Sequence, residues 1–132
     1  MEASIFTKII NKEIPANIIA EDEKYIAFLD VFPLTKGHTL VVPKKQVDYI
    51  FDLDDDLLAG LHLFSKKIAL AVEKSIVCKR IGIAVIGLEI PHTHIHLVPI
   101  NNISDLDFTK TKLELSKDEM NTIANQIKSN LN

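Results

Sequence analysis

Pro91-His92-Thr93-His94-Ile95-His96-Leu97-Val98-Pro99 places three histidines at every second position. Alternate side chains of a strand point to opposite faces, so His92, His94 and His96 are expected on one face. Thr93, Ile95 and Leu97 take the other face, which reads as core. Pro91 and Pro99 bracket the run and confine it to a short strand. A single histidine in a strand is usually a core residue bonded to a carbonyl. Three in register each need a buried partner of their own, which favours a functional surface. On residues alone two chemistries stay open. Neutral imidazole is a common metal ligand, and a tuned imidazole is a nucleophile or proton carrier. Cys78 stands alone and no His-Glu-x-x-His run occurs, so a metal has only Glu89 and His38 for further ligands.

The rest of the chain fits around this stretch as an α+β fold. Ile5, Phe6, Ile9 and Ile10 recur at helical spacing over residues 4–11, and Pro15 stops that helix. Asn17 to Ala20 and Tyr25 to Leu29 read as strands joined by the polar turn Glu21-Asp22-Glu23-Lys24. Asp30 ends the second strand, where an aspartate ordinarily starts a turn. After a loop with Pro33 and Gly37, His38 to Pro43 reads as a strand with His38, Leu40 and Val42 on one face. Asp54-Asp55-Asp56 opens a helix expected over 54–75. Its buried stripe is Leu57, Leu61, Phe64, Ile68 and Ala71, with His62 off the stripe. Ile81 to Ile86 is an apolar strand, and Gly87-Leu88-Glu89-Ile90 turns it into the histidine run. Asn101 to Leu115 reads as a polar loop with short turns. Ser116 and Glu119 form a capping box for an amphipathic helix over 117–131.

A length of 132 residues predicts one domain, residues 1–132. A domain this small leaves much surface, so dimerisation would help it. With a net charge of −3 the chain has no dominant basic surface, and nucleic acid is not expected as a partner. Lys44-Lys45 and Lys66-Lys67 read as solvated pairs. One cysteine excludes an internal disulfide and suits a reducing compartment. No signal peptide and no bilayer-spanning run is read, so the expected location is cytoplasmic, away from membranes.

The histidine run resembles the signature of the histidine triad (HIT) family, in its nucleotide-binding, Hint-like branch. Ser4-Ile5-Phe6-Thr7-Lys8-Ile9-Ile10, Glu13-Ile14-Pro15, Phe28-Leu29-Asp30 and Gly37-His38-Thr39-Leu40-Val41-Val42-Pro43-Lys44 follow in the family's order, so the likeness covers about residues 4–99. The resemblance implies an antiparallel sheet carrying a long helix and a C-terminal helix, and a homodimer. It implies a hydrolase or transferase that cleaves P–N or P–O bonds of a purine nucleoside monophosphate such as AMP. The route is a covalent nucleotidyl-histidine, as in a nucleoside phosphoramidase, with no cofactor. His94 would be the nucleophile, with His92 and His96 orienting it and donating protons, and His38 supporting the proton network. Asp30 would take the ribose hydroxyls, and Ile5, Phe6, Ile9, Phe28 and Leu40 would line the nucleotide pocket. The competing expectation is a nucleotide sensor or scaffold with little turnover.

The chain departs from the family at three places. Many relatives carry cysteines of a zinc site where this chain has Ser4 and Thr7, and hydroxyls are poor zinc ligands. Gln46 stands where several relatives have a further histidine, which would shorten a proton relay. The loop before the triad is contracted, with Ile86 near the position of an asparagine and Glu89 near that of a neutral hydroxyl. Fewer glycines mean fewer backbone N–H groups for phosphate. Glu89 would either turn outward or hold a proton for the leaving group.

Overall fold

The computed structural model describes residues 2–131. Its order is α1 (Ile5–Ile10), β1 (Ile18–Glu21), β2 (Tyr25–Leu29), β3 (Thr39–Pro43), α2 (Asp55–Ser75), β4 (Arg80–Ala84), β5 (Ile95–Ile100) and α3 (Lys117–Ser129). Short 3-10 turns cover Ile50–Asp52 and Ile103–Leu106. The five strands form one sheet in the order β1-β2-β3-β5-β4, antiparallel at every neighbouring pair. This is the expected α+β architecture.

Strand alternation sorts the sheet into two cores. Tyr25, Ala27, Leu29, Val41, Ile95 and Leu97 meet Leu61, Phe64, Ile68 and Val72 of α2 and Ile123 and Ile127 of α3. Ile26, Phe28, Leu40 and Val42 face the other way and meet Phe6 and Ile9 of α1. Asp54 caps α2 by accepting the Leu57 N–H at 2.8 Å, and Asp55 and Asp56 sit in its first turn against the helix dipole. Gly60 is required on α2 because a Cβ there would stand 2.0 Å from the Tyr25 hydroxyl. That hydroxyl donates to the Leu57 carbonyl at 2.9 Å, tying α2 to β2. The capping box Ser116–Glu119 forms at the start of α3 as expected.

The main departure from expectation lies in the histidine run. β5 begins at Ile95, so only His96 is a strand residue, and β4 ends at Ala84 rather than Ile86. Residues 91 and 92 form a bend, and residues 91–94 pair with no strand. Instead the Thr93 N–H and hydroxyl both donate to the Val47 carbonyl at 2.7 Å. Pro99 does not end the run either: it lies inside β5 opposite Ile81. Its carbonyl accepts from Thr35 Oγ1 beyond the end of β3, so its missing N–H costs no ladder bond.

Candidate functional site

Sheet register assembles the site. Phe28 pairs with Leu40, Leu40 with His96, and His96 with Ala84, so one row across four strands carries Phe28, Leu40 and His96 on the α1 face. One step along, the Asp30 N–H donates to the His38 carbonyl at 3.0 Å. Gly37 supplies the bend that delivers His38. Its φ of +91° suits glycine, and a Cβ would come within 2.8 Å of Ile76. His38, His92, His94 and His96 are all buried. Their ring centroids and the Phe6 ring form a chain of contacts: Phe6–His92 at 5.8 Å, Phe6–His94 at 5.0 Å, His94–His96 at 4.9 Å and His96–His38 at 5.2 Å.

Hydrogen bonding assigns a proton to one nitrogen of every ring, because a carbonyl only accepts and a backbone N–H only donates. His92 Nε2 lies 2.7 Å from the Pro43 carbonyl and therefore carries its proton. His92 Nδ1, left as acceptor, takes the Ser4 hydroxyl at 2.7 Å. His94 Nδ1 donates to the His92 carbonyl at 2.7 Å, which leaves the lone pair on His94 Nε2. His38 Nδ1 accepts the Leu34 N–H at 3.0 Å, so His38 Nε2 carries the proton and donates it to His96 Nδ1 at 2.9 Å. His96 is left with a proton on Nε2. The site therefore sets a bare nitrogen on His94 beside a ring that offers an N–H.

Burial dominates the electrostatics. It holds His38 down to about 3 and, with the nearby His94, holds His96 down to about 4. His92 is also lowered by burial, against the opposing pull of the Pro43 carbonyl. At neutral pH these three rings are uncharged. Asp30 shifts the opposite way: burial raises its carboxyl, partly offset by the Phe32 N–H, His94 and Lys112. Its Oδ1 accepts the Phe32 N–H at 2.9 Å, the turn bond expected of a strand-end aspartate. Its Oδ2 lies 3.6 Å from His38 Nε2, too far to compete with His96 for that proton.

Phe6, Ile9, Phe28 and Leu40 form one buried cluster beside the histidines. Phe6 and Phe28 pack at 5.5 Å between centroids. Ile5 lies half exposed on the outer side of α1. Glu89 is exposed on the loop after β4, and no hydrogen bond or ion pair among the described residues links it to the histidines. Gln46 does not stand in the His38–His96 chain. Its Oε1 accepts the Thr7 hydroxyl at 2.7 Å and the Ser4 N–H at 3.0 Å. The sequence reading missed the segment 107–113. Phe108 packs edge-on against His96 at 4.7 Å and against His38 at 6.2 Å between centroids. The signal was there, since Phe108 is the one aromatic in the polar run 101–115.

Two groups invite a metal, and neither fits one. Ser4, Thr7, Gln46 and His92 converge where the family resemblance implies zinc, but they supply one imidazole and no thiolate. The His92 lone pair there already accepts a hydroxyl proton. Asp30, His38 and His96 bring ligand atoms within 4.8 Å of one another. The Leu34 N–H occupies His38 Nδ1, however, so His38 Nε2 must keep the proton that a metal would displace.

The HIT domain matches residues 11–103 of this chain. An uncharacterized HIT-like protein of Borreliella burgdorferi is 36% identical over 135 residues, spanning 96% of this chain and 97% of its own length. The solved structure of a Hit-like protein involved in cell-cycle regulation from Bartonella henselae superposes with a TM-score of 0.84 at 29% identity, covering 97% of this chain and 96% of that one. A hypothetical histidine triad nucleotide-binding protein from Sulfolobus tokodaii gives 0.81 at 29% identity, covering 95% and 89%. A HIT family hydrolase from Legionella pneumophila gives 0.64 at 35% identity, covering 72% and 90%. The family match spans most of the chain and contains all four buried histidines, and the chain belongs to the histidine triad (HIT) family.

Proposed function

We propose that this protein is a nucleotidyl hydrolase that cleaves a P–N or P–O bond of a purine nucleoside monophosphate through His94. The observation that carries this reading is the bond from His94 Nδ1 to the His92 carbonyl, which leaves Nε2 as a bare lone pair at the centre of the cluster. The similarity to a nucleotide-binding protein and to a hydrolase of the same family supports it. In the first step His94 Nε2 bonds to phosphorus and the bond to the leaving group breaks; the leaving amine or alcohol, to which His96 Nε2–H donates a hydrogen bond, takes its proton from water. In the second, water attacks phosphorus and gives up a proton to the hydroxide left by the first step, and the His94–phosphorus bond breaks to release the nucleotide. His38 holds His96 in the tautomer this needs, and His92 does the same for His94. Asp30 accepts the ribose hydroxyls, with Phe6, Ile9, Phe28 and Leu40 as the apolar wall of the base pocket. Ile5 and Glu89 sit at its rim.

The test is turnover of adenosine 5′-phosphoramidate to AMP and ammonia. Wild type should turn over, and His94→Ala should lose turnover while still binding AMP. An adduct trapped on any other residue, or an active His94→Ala, overturns the assignment. Wild type that binds AMP without turnover selects the sensor or scaffold reading, which the short, exposed loop from Val85 to Glu89 favours. The ribose assignment has its own test. A lost charge-assisted hydrogen bond costs about 1.5–3 kcal/mol, so Asp30→Ala should weaken AMP about 10- to 100-fold and leave 2′,3′-dideoxy-AMP nearly unchanged. Equal weakening of both would reduce Asp30 to its turn bond with Phe32.

The reading extends to a homodimer in the cytoplasm. The β1 edge of the sheet is charged, with Glu21 between Lys12 and Lys44. The β4 edge leaves Ile83, Val85 and Ile86 exposed, and α2 exposes Leu63 and Leu70. An apolar edge beside an apolar helix face is a surface that a second copy would cover. Cys78 is unpaired, which suits a reducing compartment. No helix among the described residues is long and apolar enough to cross a membrane.

A further inference from the structure

No lysine or arginine has entered the site as built so far. His38, His92 and His96 are uncharged at neutral pH, and Asp30 is a carboxylate or a neutral acid. A nucleoside monophosphate brings nearly two negative charges into this space. Burying a phosphate without a compensating charge is costly, and the contracted loop before the triad offers few glycine amides.

The segment 107–113 supplies what is missing. It is anchored to the histidine pair and to the loop after Asp30 by two contacts. The Phe108 ring packs edge-on against both His96 and His38. The Leu113 N–H donates at 2.8 Å to the carbonyl of Pro33, in the loop that follows Asp30. Between these anchors the half-buried Lys112 folds back, and its Nζ donates to the Phe108 carbonyl at 2.5 Å and the Lys110 carbonyl at 3.2 Å. An ammonium has three protons. Two are used on the strap itself, and the third has no protein acceptor among the described residues. Lys112 is also the one lysine whose charge acts on both Asp30 and His38.

We propose that Lys112, anchored by the strap 107–113 on the side of Asp30 and His38, is the cation that recognises the phosphate of the bound nucleotide. This rests on the nucleotide reading above and adds a residue to it. Phe108 shields the His38–His96 hydrogen bond from water, and the two carbonyls fix the ammonium before ligand arrives, so little side-chain freedom remains to be lost on binding. The phosphate takes the third proton, and its charge is met by a fixed ammonium.

The test compares AMP with adenosine, which differ only in the phosphate, by titration calorimetry on the full chain at one ionic strength. Lys112→Gln removes the charge and keeps a donor for the Phe108 carbonyl. It should weaken AMP about 10- to 100-fold and leave adenosine within about twofold. Lys112→Arg should restore most of the AMP affinity. A salt titration of wild type provides a second measurement that does not depend on the variant folding: raising salt should weaken AMP and leave adenosine alone. Equal loss of both ligands in Lys112→Gln would make the strap a wall only. Unchanged AMP binding would make Lys112 a surface lysine. If wild type binds neither ligand, the nucleotide reading itself falls and takes this proposal with it. If wild type binds AMP and Lys112→Gln does so equally well, only the proposal falls.

Discussion

His38 has both ring nitrogens committed, one to the Leu34 N–H and one to His96, with no room for a second proton. This has a consequence for stability. In the unfolded chain a histidine titrates near 6.5, whereas in the folded chain burial holds His38 at about 3 and His96 at about 4. Between those values the unfolded chain binds more protons than the folded one, so acid favours unfolding. Stability is full above pH 6.5 and is lost progressively as pH falls toward 4 and then 3. Asp30 acts in the opposite sense just above its ordinary value, because its raised carboxyl binds a proton more readily when folded. Two deeply buried rings outweigh one partly exposed carboxyl, and His92 adds to their side. The urea midpoint should therefore drop steadily from pH 7 to pH 4, and His38→Asn should make that slope shallower. A flat midpoint over this range would mean that the rings protonate in place.

At the scale of elements, α1 is six residues long, too short to be stable by its own hydrogen bonds. It is held by what its first turn touches. Ser4 Oγ caps the helix by accepting the Thr7 N–H at 3.0 Å and donates its own proton to His92. Gln46 ties Ser4 and Thr7 together from the far side and reaches the Glu2 carbonyl at 2.9 Å through Nε2. This cluster locks the His92 tautomer, as a bound metal would, by hydrogen bonds alone. Ser4→Ala removes a helix cap, worth about 0.5–2 kcal/mol, and leaves a buried imidazole nitrogen without its donor, about 1–3 kcal/mol. A loss of about 1.5–5 kcal/mol in urea unfolding is expected, together with a shift of the His92 ring nitrogens in nitrogen-15 NMR. Atomic emission on purified protein should find no stoichiometric zinc. A full equivalent of zinc would refute the hydrogen-bonded cluster.

At the scale of the molecule, the two faces of the sheet serve different ends. The face under α2 and α3 holds the large core. The face under α1 holds the smaller core and, beside it, the buried histidines. The proposed dimer uses neither face but the β4 edge and the outside of α2. Ile83 is 53% exposed there and Leu63 70%. A charge at the centre of an apolar contact is strongly unfavourable unless paired. Leu63→Glu combined with Ile83→Glu should therefore yield monomers by light scattering, with the far-UV spectrum unchanged. Wild type that is itself monomeric at micromolar concentration would remove the dimer from this account.

The sequence by itself determined most of the elements and singled out the histidines that the fold brings together. Alternation in β2 and β3, the acidic cap and stripe of α2, and the capping box of α3 are local signals, set by strand and helix periodicity and by the unsatisfied N–H groups of a helix start. The histidine run marked the site through spacing alone. What the spacing could not carry was the role of each nitrogen, because a tautomer depends on partners far away in the chain: Pro43 for His92, Leu34 for His38, and His38 for His96. Nor could it show that His92 and His94 lie outside the strand, since Thr93 donates its hydrogen bonds to the Val47 carbonyl rather than to a neighbouring strand. Phe108 stood out as a lone aromatic, but its role, like that of Lys112, was illegible for the same reason. Nothing periodic surrounds them, and their meaning comes from a loop that folds back over a pair of rings. Local patterns record what a segment does to itself, and only the tertiary structure decides which distant donor reaches which acceptor.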